Sequence, residues 1–153
     1  MASRMLDAAD HLLRHGTRSI AFRRRAVSTA YYAAFHAVDK LCADYLTRSA
    51  PRASAEYLRV YRALDHASLK NAFARSPLKD VPRLGQIGSS LVTLQTERHR
   101  ADYLPPIANV FTHDRGTLLL EMAREVVKQI EAIKPRDEAC RLLAISLLFK
   151  ERQ

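Results

Sequence analysis

FRRRAVSTAYYAAFHAVDKLCADYL, from Phe22 to Leu46, is the stretch of sequence that decides the fold. It contains no Gly or Pro, and its apolar residues recur every three or four positions, which predicts one long amphipathic α-helix. The apolar stripe consists of Val27, Ala30, Tyr31, Ala34, Val38, Leu41, Cys42 and Tyr45. Because Tyr32, Phe35 and His36 add bulk beside this stripe, we expect other helices to cover more than one side of it.

The rest of the chain has the same helical periodicity, interrupted by short connectors that contain proline. We therefore expect an all-α fold, an up-and-down bundle of five to six helices, in a single domain of residues 1–153. Pro105 and Pro106 should stop one helix, since neither can donate the backbone hydrogen bond that would continue it. The first expected helix is Ser3 to His15, and the second is a long helix that Thr17 caps. The later ones are Glu56 to Arg75 with a break near His66, Val81 or Arg83 to Tyr103, Thr112 or Asp114 to Lys134, and Arg136 to Lys150.

The composition is that of a globular protein, with 48% hydrophobic and 27% charged residues among 153. These values argue against disorder, and the length is sufficient for one hydrophobic core. The longest apolar run, Leu142 to Phe149, is far shorter than the ~20 residues that a membrane span needs. The first 16 residues carry acidic side chains within their apolar pattern and do not resemble a signal peptide. We expect a cytoplasmic protein without a membrane-spanning segment.

The formal net charge of +9 is unevenly distributed along the chain. Residues 1–76 have a balance of +7, and residues 77–153 have a balance of +2. Arg23, Arg24 and Arg25 lie near the positive end of the long helix and have no acidic partner four residues later. A nucleic-acid phosphate, an acidic partner protein, or water and salt would balance this charge.

The chain contains no motif that indicates a cofactor or a metal. There is no Gly-rich phosphate loop, and no set of Cys or His with the spacing of a zinc site. Asp7, His11 and His15 share one helix face, which we interpret as a solvated polar face. Cys42 and Cys140 lie within apolar helical patterns, so we expect two buried, reduced thiols.

A second polar cluster, TERHRADYLPP, covers Thr96 to Pro106. Its charged side chains crowd the end of a helix before two prolines, where they can project into a cleft. The interpretation without a function is a solvated helix end with an ion pair between Arg98 and Asp102, four residues apart.

Three blocks of the sequence together resemble the HEPN superfamily, the helical domains named for higher eukaryotes and prokaryotes nucleotide binding. They are AVSTAYYAAFHAVDKL at 26–41, YRALDHASLKNAF at 61–73 and LQTERHRADYLPP at 94–106. Their order and separation also fit, so the resemblance covers most of residues 18–134. It implies a helical bundle that commonly dimerises, an RNA-binding module or a metal-independent ribonuclease, and in many bacteria a partner of a small nucleotidyltransferase.

The resemblance also implies site residues, but the sequence departs from the catalytic pattern. Catalytic members carry an Arg followed by four to six residues and a His. Arg98 matches the Arg, whereas Tyr103 stands five residues later, and a tyrosine with a pKa near ~10 is a poor base at neutral pH. His99 lies ~100° around the helix from Arg98. His36 of the FHA block is the other candidate base.

We therefore expect an RNA- or nucleotide-binding module with a degenerate ribonuclease cleft, acting as a homodimer without a cofactor. The alternatives are an interaction subunit that partners a nucleotidyltransferase in a toxin–antitoxin pair, and a metal-independent ribonuclease with a non-standard Arg-x4-Tyr motif. The candidate residues are Arg98, His99, Tyr103 and His36 for catalysis, Arg23, Arg24, Arg25, Arg98 and Arg100 for nucleic-acid binding, and Ser28, Tyr32 and Asp102 for support of the cleft.

Overall fold

The computed structural model describes residues 1–16, 18–48, 50–105, 107 and 109–149 of the chain. Every regular element in these residues is helical, which confirms the all-α class. The α-helices are α1 (Ala2–His15), α2 (Ile20–Thr47), α3 (Ala55–Tyr61), α4 (His66–Phe73), α5 (Pro82–Tyr103), α6 (His113–Glu131) and α7 (Glu138–Leu148), and a 3-10 turn covers Leu78–Asp80.

The described part of the chain thus holds seven α-helices, where the sequence predicted five or six. The prediction missed the full separation of α3 from α4. The hydroxyl of Ser54 accepts a hydrogen bond from the backbone N–H of Tyr57 at 3.2 Å. The carboxylate of Asp65 accepts one from the backbone N–H of Ser68 at 2.7 Å. Ser54 thus caps the start of α3, and because Asp65 caps a new N-terminus, α4 begins as a separate helix at the break near His66.

The ends of the later helices agree with the sequence pattern to within a few residues. The predicted end of α5 at Tyr103 is confirmed, whereas α6 ends at Glu131 rather than at Lys134. Three predictions fall on residues that the structure does not describe. They are Thr17 as the cap of α2, Pro106 as the second residue of the helix stop, and Lys150 as the end of α7.

The apolar stripe predicted for α2 is buried over most of its length. Its central members are at most 1% exposed, and these are Val27, Ala30, Tyr31, Ala34, Val38 and Cys42. Leu41 and Tyr45 at its C-terminal end are half-buried. The 3.6-residue period therefore identified one buried side of α2 correctly, and the burial of Ala33, Ala37 and Ala43 outside the stripe shows that more than one side is covered, as expected.

Contacts between residues divide the chain into two compact units. The first comprises Met1–His36 and Ser90–Lys128, and the second comprises Ala37–Ser89 and Gln129–Gln153. The prediction of a single domain over residues 1–153 stays a prediction.

The first unit has a core of aliphatic side chains around the aromatic residues of α2. Its buried residues include Leu6, Ala9, Leu13, Val27, Ala30, Tyr31, Leu91, Leu94 and Leu120. A Cβ atom on Gly116 would lie 2.6 Å from Cδ2 of Leu13, so α6 approaches α1 closely at this glycine. The carboxylate of Asp10 also pairs with Arg124 across these two helices, at 3.5 Å.

The second unit has its own core, in which α4 packs against α7 and against the 3-10 turn. Its buried residues include Val38, Cys42, Leu69, Leu78, Leu84, Ile87, Ile130 and Leu143. Gly88 of α5 packs against the ring of Phe73, and a Cβ atom at this position would lie 2.3 Å from Cδ1 of that ring.

Cys42 and Cys140 both lie buried in the second unit as free thiols. Burial is the main cause that raises the pKa of each thiol, and that of Cys140 reaches about 11. Because the thiolate is the reactive form, both cysteines should react slowly with thiol reagents in the folded protein.

Among the described residues, no helix combines the length and the apolar character that crossing a membrane requires.

We expect Gly88→Ala to lower the free energy of unfolding by about 1 kcal/mol. The added methyl group overpacks the contact with Phe73, which typically costs ~1–3 kcal/mol, and the better helix propensity of Ala offsets up to ~1 kcal/mol of that. Chemical denaturation measures the change. Gln86→Ala, at an exposed position of the same helix, is the control and should change stability by no more than ~0.5 kcal/mol. An unchanged or raised stability of Gly88→Ala would contradict the close packing.

Candidate functional site

The guanidinium of Arg98 is buried against two tyrosine rings. Arg98 is only 8% exposed, and its Cζ atom lies 5.4 Å from the ring centre of Tyr31 and 5.4 Å from that of Tyr32. Both distances are within the range of cation–π attraction, which is strongest where water is excluded. The two aromatic faces therefore supply part of the stabilisation that a buried cation needs.

Asp102 supplies the compensating negative charge from the next turn of α5. Its Oδ2 atom lies 3.5 Å from Nη1 of Arg98 and accepts a hydrogen bond from the hydroxyl of Ser28 at 3.3 Å. Both contacts are long for hydrogen bonds to a charged group. Within the described residues the Nε atom of Arg98 is buried and has no hydrogen-bond partner. This guanidinium therefore has one unused donor, and a ligand reaches it only when the surrounding side chains move, because the atom is closed to solvent.

His36 joins the same group of residues through Tyr32. The two rings are stacked with their centres 6.2 Å apart, and the His36 ring also lies edge-on to Phe35 at 5.9 Å. Tyr32 and His36 are half-buried, so this edge of the group reaches the surface. We call the group the Arg98 cluster, and it consists of Arg98, Asp102, Ser28, Tyr31, Tyr32 and His36.

Helical spacing explains which of these residues share a helix face. Ser28, Tyr32 and His36 follow one another at intervals of four along α2, and Arg98 and Asp102 are four apart on α5. The cluster therefore unites five residues proposed from the sequence, and all of its members belong to the first unit. Tyr31 was assigned from the sequence to the apolar stripe alone. Its position beside Tyr32 was the only signal that it could also contact a cation.

His99 and Tyr103 lie elsewhere on α5. Their rings contact each other with a centre-to-centre distance of 4.8 Å, and Tyr103 is 68% exposed. His99 is also exposed, whereas the neighbouring Arg98 is buried. The Arg-x4-Tyr motif is thus divided between one buried and one exposed side chain.

Two arginines of the basic stretch bind backbone carbonyl groups within the first unit. Arg24 donates from Nε to the carbonyl of Ala101 at 2.6 Å and from Nη2 to that of Leu104 at 2.5 Å. Arg23 donates from Nε to the carbonyl of Phe111 at 2.7 Å. The last carbonyls of a helix lack partners within it and carry partial negative charge, so Arg24 caps the C-terminal end of α5. The sequence alone could not reveal these acceptors.

Arg25 differs from Arg23 and Arg24 in its surroundings. It is exposed, and the part of the chain that the structure describes offers its guanidinium no ion pair. Arg25 precedes Ser28 by three residues and Tyr32 by seven, so it lies near the same face of α2 as these two members of the Arg98 cluster.

Arg100 is held by a buried carboxylate. Its Nη1 atom lies 2.9 Å from Oε1 of Glu97, and Arg115 of α6 binds the same carboxylate through Nη2 at 2.8 Å and Nε at 3.2 Å. Burial by itself would raise the pKa of Glu97, but the hydrogen bonds and charges of Arg115 and Arg100 outweigh it and lower that pKa. Arg115 thereby joins α6 to α5, and Arg100 supplies a second cation to the same carboxylate from within α5.

No three His, Cys, Asp or Glu side chains in the described ranges are grouped so that they could hold a metal ion. Comparison of the chain with protein-family models, with curated proteins and with solved structures found no match. The resemblance to the HEPN superfamily therefore stays a prediction from the sequence.

We expect the pairing of Glu97 to make the stability of the protein depend on acid pH. A carboxylate whose pKa is lowered by folding stabilises the folded state above its ordinary pKa of 4.5, and this contribution is lost as the pH falls through the lowered value. Glu97→Gln should cost about 1–2 kcal/mol at neutral pH, because it leaves two arginines without their anion. The difference between the two proteins should shrink below pH 4.5.

Urea titrations at a series of pH values test this expectation. Glu121→Gln is the control, because that carboxylate is 57% exposed and pairs only at the surface with Arg124. A penalty for Glu97→Gln that is constant from neutral to acid pH would contradict the assignment.

Proposed function

We propose that this protein is a HEPN-like module that binds RNA or nucleotides in the cytoplasm as a homodimer, with the Arg98 cluster as its anion-binding site. The proposal rests on two independent arguments. One is the resemblance of the three sequence blocks to that superfamily. The other is the chemistry of the cluster, which brings a cation, aromatic rings and a hydroxyl group together at one place.

The observation that carries the proposal is the incomplete hydrogen bonding of a buried arginine. The Nε atom of Arg98 has no acceptor among the described residues, and its one carboxylate partner lies at 3.5 Å. A phosphate oxygen is a stronger acceptor than water and suits the planar guanidinium, which can bind it through two nitrogens. A bound phosphate would therefore complete the shell of this cation.

The aromatic side chains suit the other part of a nucleotide. Tyr32 is half-buried, and its ring contacts both the guanidinium of Arg98 and the ring of His36. The half-buried edge of this pair of rings offers an apolar contact to the sugar or base of a nucleotide. The exposed Arg25 on the same side of α2 extends the positive charge along the path of a nucleic-acid backbone.

We expect Arg98→Met to weaken the binding of a short single-stranded RNA roughly tenfold at low salt. Methionine fills a similar volume in the core but removes the charge and all five donors. Arg98→Lys keeps the charge without the planar fork, so its affinity should fall between those of Arg98→Met and the unchanged protein. Fluorescence anisotropy across a salt series measures the affinity, and the slope of log affinity against log salt should decrease by ~0.7 in Arg98→Met.

The matched control is Arg4→Ala, which removes an exposed arginine of α1 in the same unit. It should leave the affinity within about twofold, because loss of one screened surface charge changes binding little. If Arg98→Met and Arg4→Ala lost the same RNA affinity, the loss would come from the lower net charge alone. That result would contradict a site at Arg98. Absence of RNA binding at low salt, for a protein whose circular dichroism shows it folded, would reject the proposal and favour the subunit that partners a nucleotidyltransferase.

A second candidate function is a metal-independent ribonuclease, and the observation that favours it is the position of His36. An imidazole and a guanidinium contact the same tyrosine ring, so a base for a ribose 2′-hydroxyl and a cation for the developing phosphorane charge lie in one cluster. Neither group requires a metal ion.

If this candidate is correct, RNA will be cleaved in the presence of EDTA, and His36→Gln will reduce the rate ~10²-fold or more while binding is retained. His99→Gln is the control, because that exposed imidazole contacts Tyr103 instead. Cleavage that both variants retain would come from a contaminating nuclease and would reject this candidate.

A further inference from the structure

The second unit contains a cavity of about 510 Å³ between the C-terminal end of α2 and the connector that precedes α7. Its lining residues are Asp44, Tyr45, Arg48, Pro135 and Arg136, all of which belong to that unit. The cavity is open to solvent. None of these residues belongs to the Arg98 cluster.

The single carboxylate of this cavity is already neutralised by other groups. Asp44 pairs with Lys40 at 2.7 Å and with Arg52 at 3.5 Å, and it accepts a hydrogen bond from the hydroxyl of Tyr57 at 2.9 Å. Burial tends to raise the pKa of Asp44, but Lys40, Tyr57 and Arg52 together lower it. Asp44 therefore stays ionised at neutral pH, and its charge is balanced without Arg48 or Arg136.

The two arginines in the lining have no such partner. Within the residues that the structure describes, neither Arg48 nor Arg136 forms an ion pair, and both are exposed. The cavity thus carries two guanidinium groups whose charges are not compensated by a neighbouring carboxylate. A group with two or more negative oxygen atoms is the complement of such a pair.

The backbone beside each arginine is held in place. Arg48 has a φ of 48°, a left-handed conformation that is uncommon for a residue with a Cβ atom, and its N–H donates to the carbonyl of Asp44 at 3.2 Å. On the other side, the carboxylate of Asp137 accepts from the N–H of Lys134 at 2.9 Å, and its own N–H donates to the carbonyl of Lys134 at 2.9 Å. This closed turn contains Arg136.

We propose that this cavity is a second anion site, in which Arg48 and Arg136 bind the phosphate group of a nucleotide or of an RNA backbone. Bidentate donation from either guanidinium to phosphate oxygens supplies the affinity and the geometry. Tyr45, half-buried in the same lining, offers a ring against which the attached sugar or base can pack. The site is separate in its residues from the Arg98 cluster and does not require that cluster to bind RNA.

The probes are adenosine 5′-monophosphate, inorganic phosphate and a short single-stranded RNA, and adenosine is the control ligand that lacks a phosphate. Each titration is monitored by nuclear magnetic resonance, and the backbone amide signal of Tyr45 reports binding at this cavity. The test variants are Arg136→Gln and Arg48→Asn, the latter because asparagine tolerates the left-handed conformation. Arg59→Gln is the matched control, an exposed arginine of α3 in the same unit that has no ion pair in the described part of the chain.

Each test variant should weaken the binding of the phosphate-bearing probes roughly tenfold, with unchanged thermal unfolding, while Arg59→Gln and Arg98→Lys leave the shift of Tyr45 unchanged. A loss seen with the monophosphate identifies a free nucleotide as a sufficient source of the phosphate, and a loss seen also with inorganic phosphate shows that the phosphate group alone is bound. A loss seen only with RNA identifies the nucleic-acid backbone as the source. The proposal is overturned if adenosine shifts Tyr45 as strongly as its monophosphate, if Arg59→Gln has the same effect as the test variants, or if no probe shifts Tyr45.

Discussion

The burial of one guanidinium group constrains the first unit more than any other single feature. An arginine that is 8% exposed must be compensated within the protein, because removing its charge from water is costly. Two tyrosine rings of α2 and one carboxylate of α5 provide that compensation, and they can do so only when α2 presents Tyr31 and Tyr32 toward Arg98. The small residues Ala30 and Ala34, both completely buried, leave room for the neighbouring helices at this position.

The same compensation leaves chemical capacity for a ligand. An aromatic face attracts a guanidinium but accepts no hydrogen bond from the N–H groups, which point outward in the guanidinium plane. The two tyrosine rings therefore stabilise the charge of Arg98 without using all of its donors. Interactions of this kind suit a site that has to remain folded when it is empty and still bind an anion. A close carboxylate partner, such as Glu97 is for Arg100 and Arg115, would hold an arginine in place but leave it less able to bind phosphate.

Much of the fold and of the Arg98 cluster could be predicted from helical periodicity, because the spacing of residues along one helix fixes which of them share a face. The buried stripe of α2, the alignment of Ser28 with Tyr32, and the Arg98–Asp102 pair all follow from intervals of three or four residues. The division into α3 and α4 was foreseen only in part, since it depends on how strongly Asp65 caps the second helix. The resemblance of the sequence blocks, and not periodicity, brought α2 and α5 into one hypothesis.

The remaining features join segments that are distant in sequence, and no local pattern contains them. Arg24 finds backbone carbonyls at the end of α5, more than 70 residues away, and Glu97 is shared with an arginine of the next helix. The cavity of the second unit likewise depends on the turn at Lys134 lying near the end of α2. Consequently the three consecutive arginines looked equivalent in the sequence, although the structure uses two of them to bind its own backbone and leaves Arg25 exposed.

The claim that Arg98 receives an anion can be tested at the atom concerned. A ¹⁵N–¹H correlation spectrum optimised for arginine side chains should contain a slowly exchanging Nε–H signal from this buried group, assigned by its loss in Arg98→Lys. We expect the signal to move progressively as a short single-stranded RNA is added, because a phosphate oxygen then accepts the Nε–H bond. A signal that stays fixed while RNA saturates the protein and shifts backbone amides elsewhere would contradict the account.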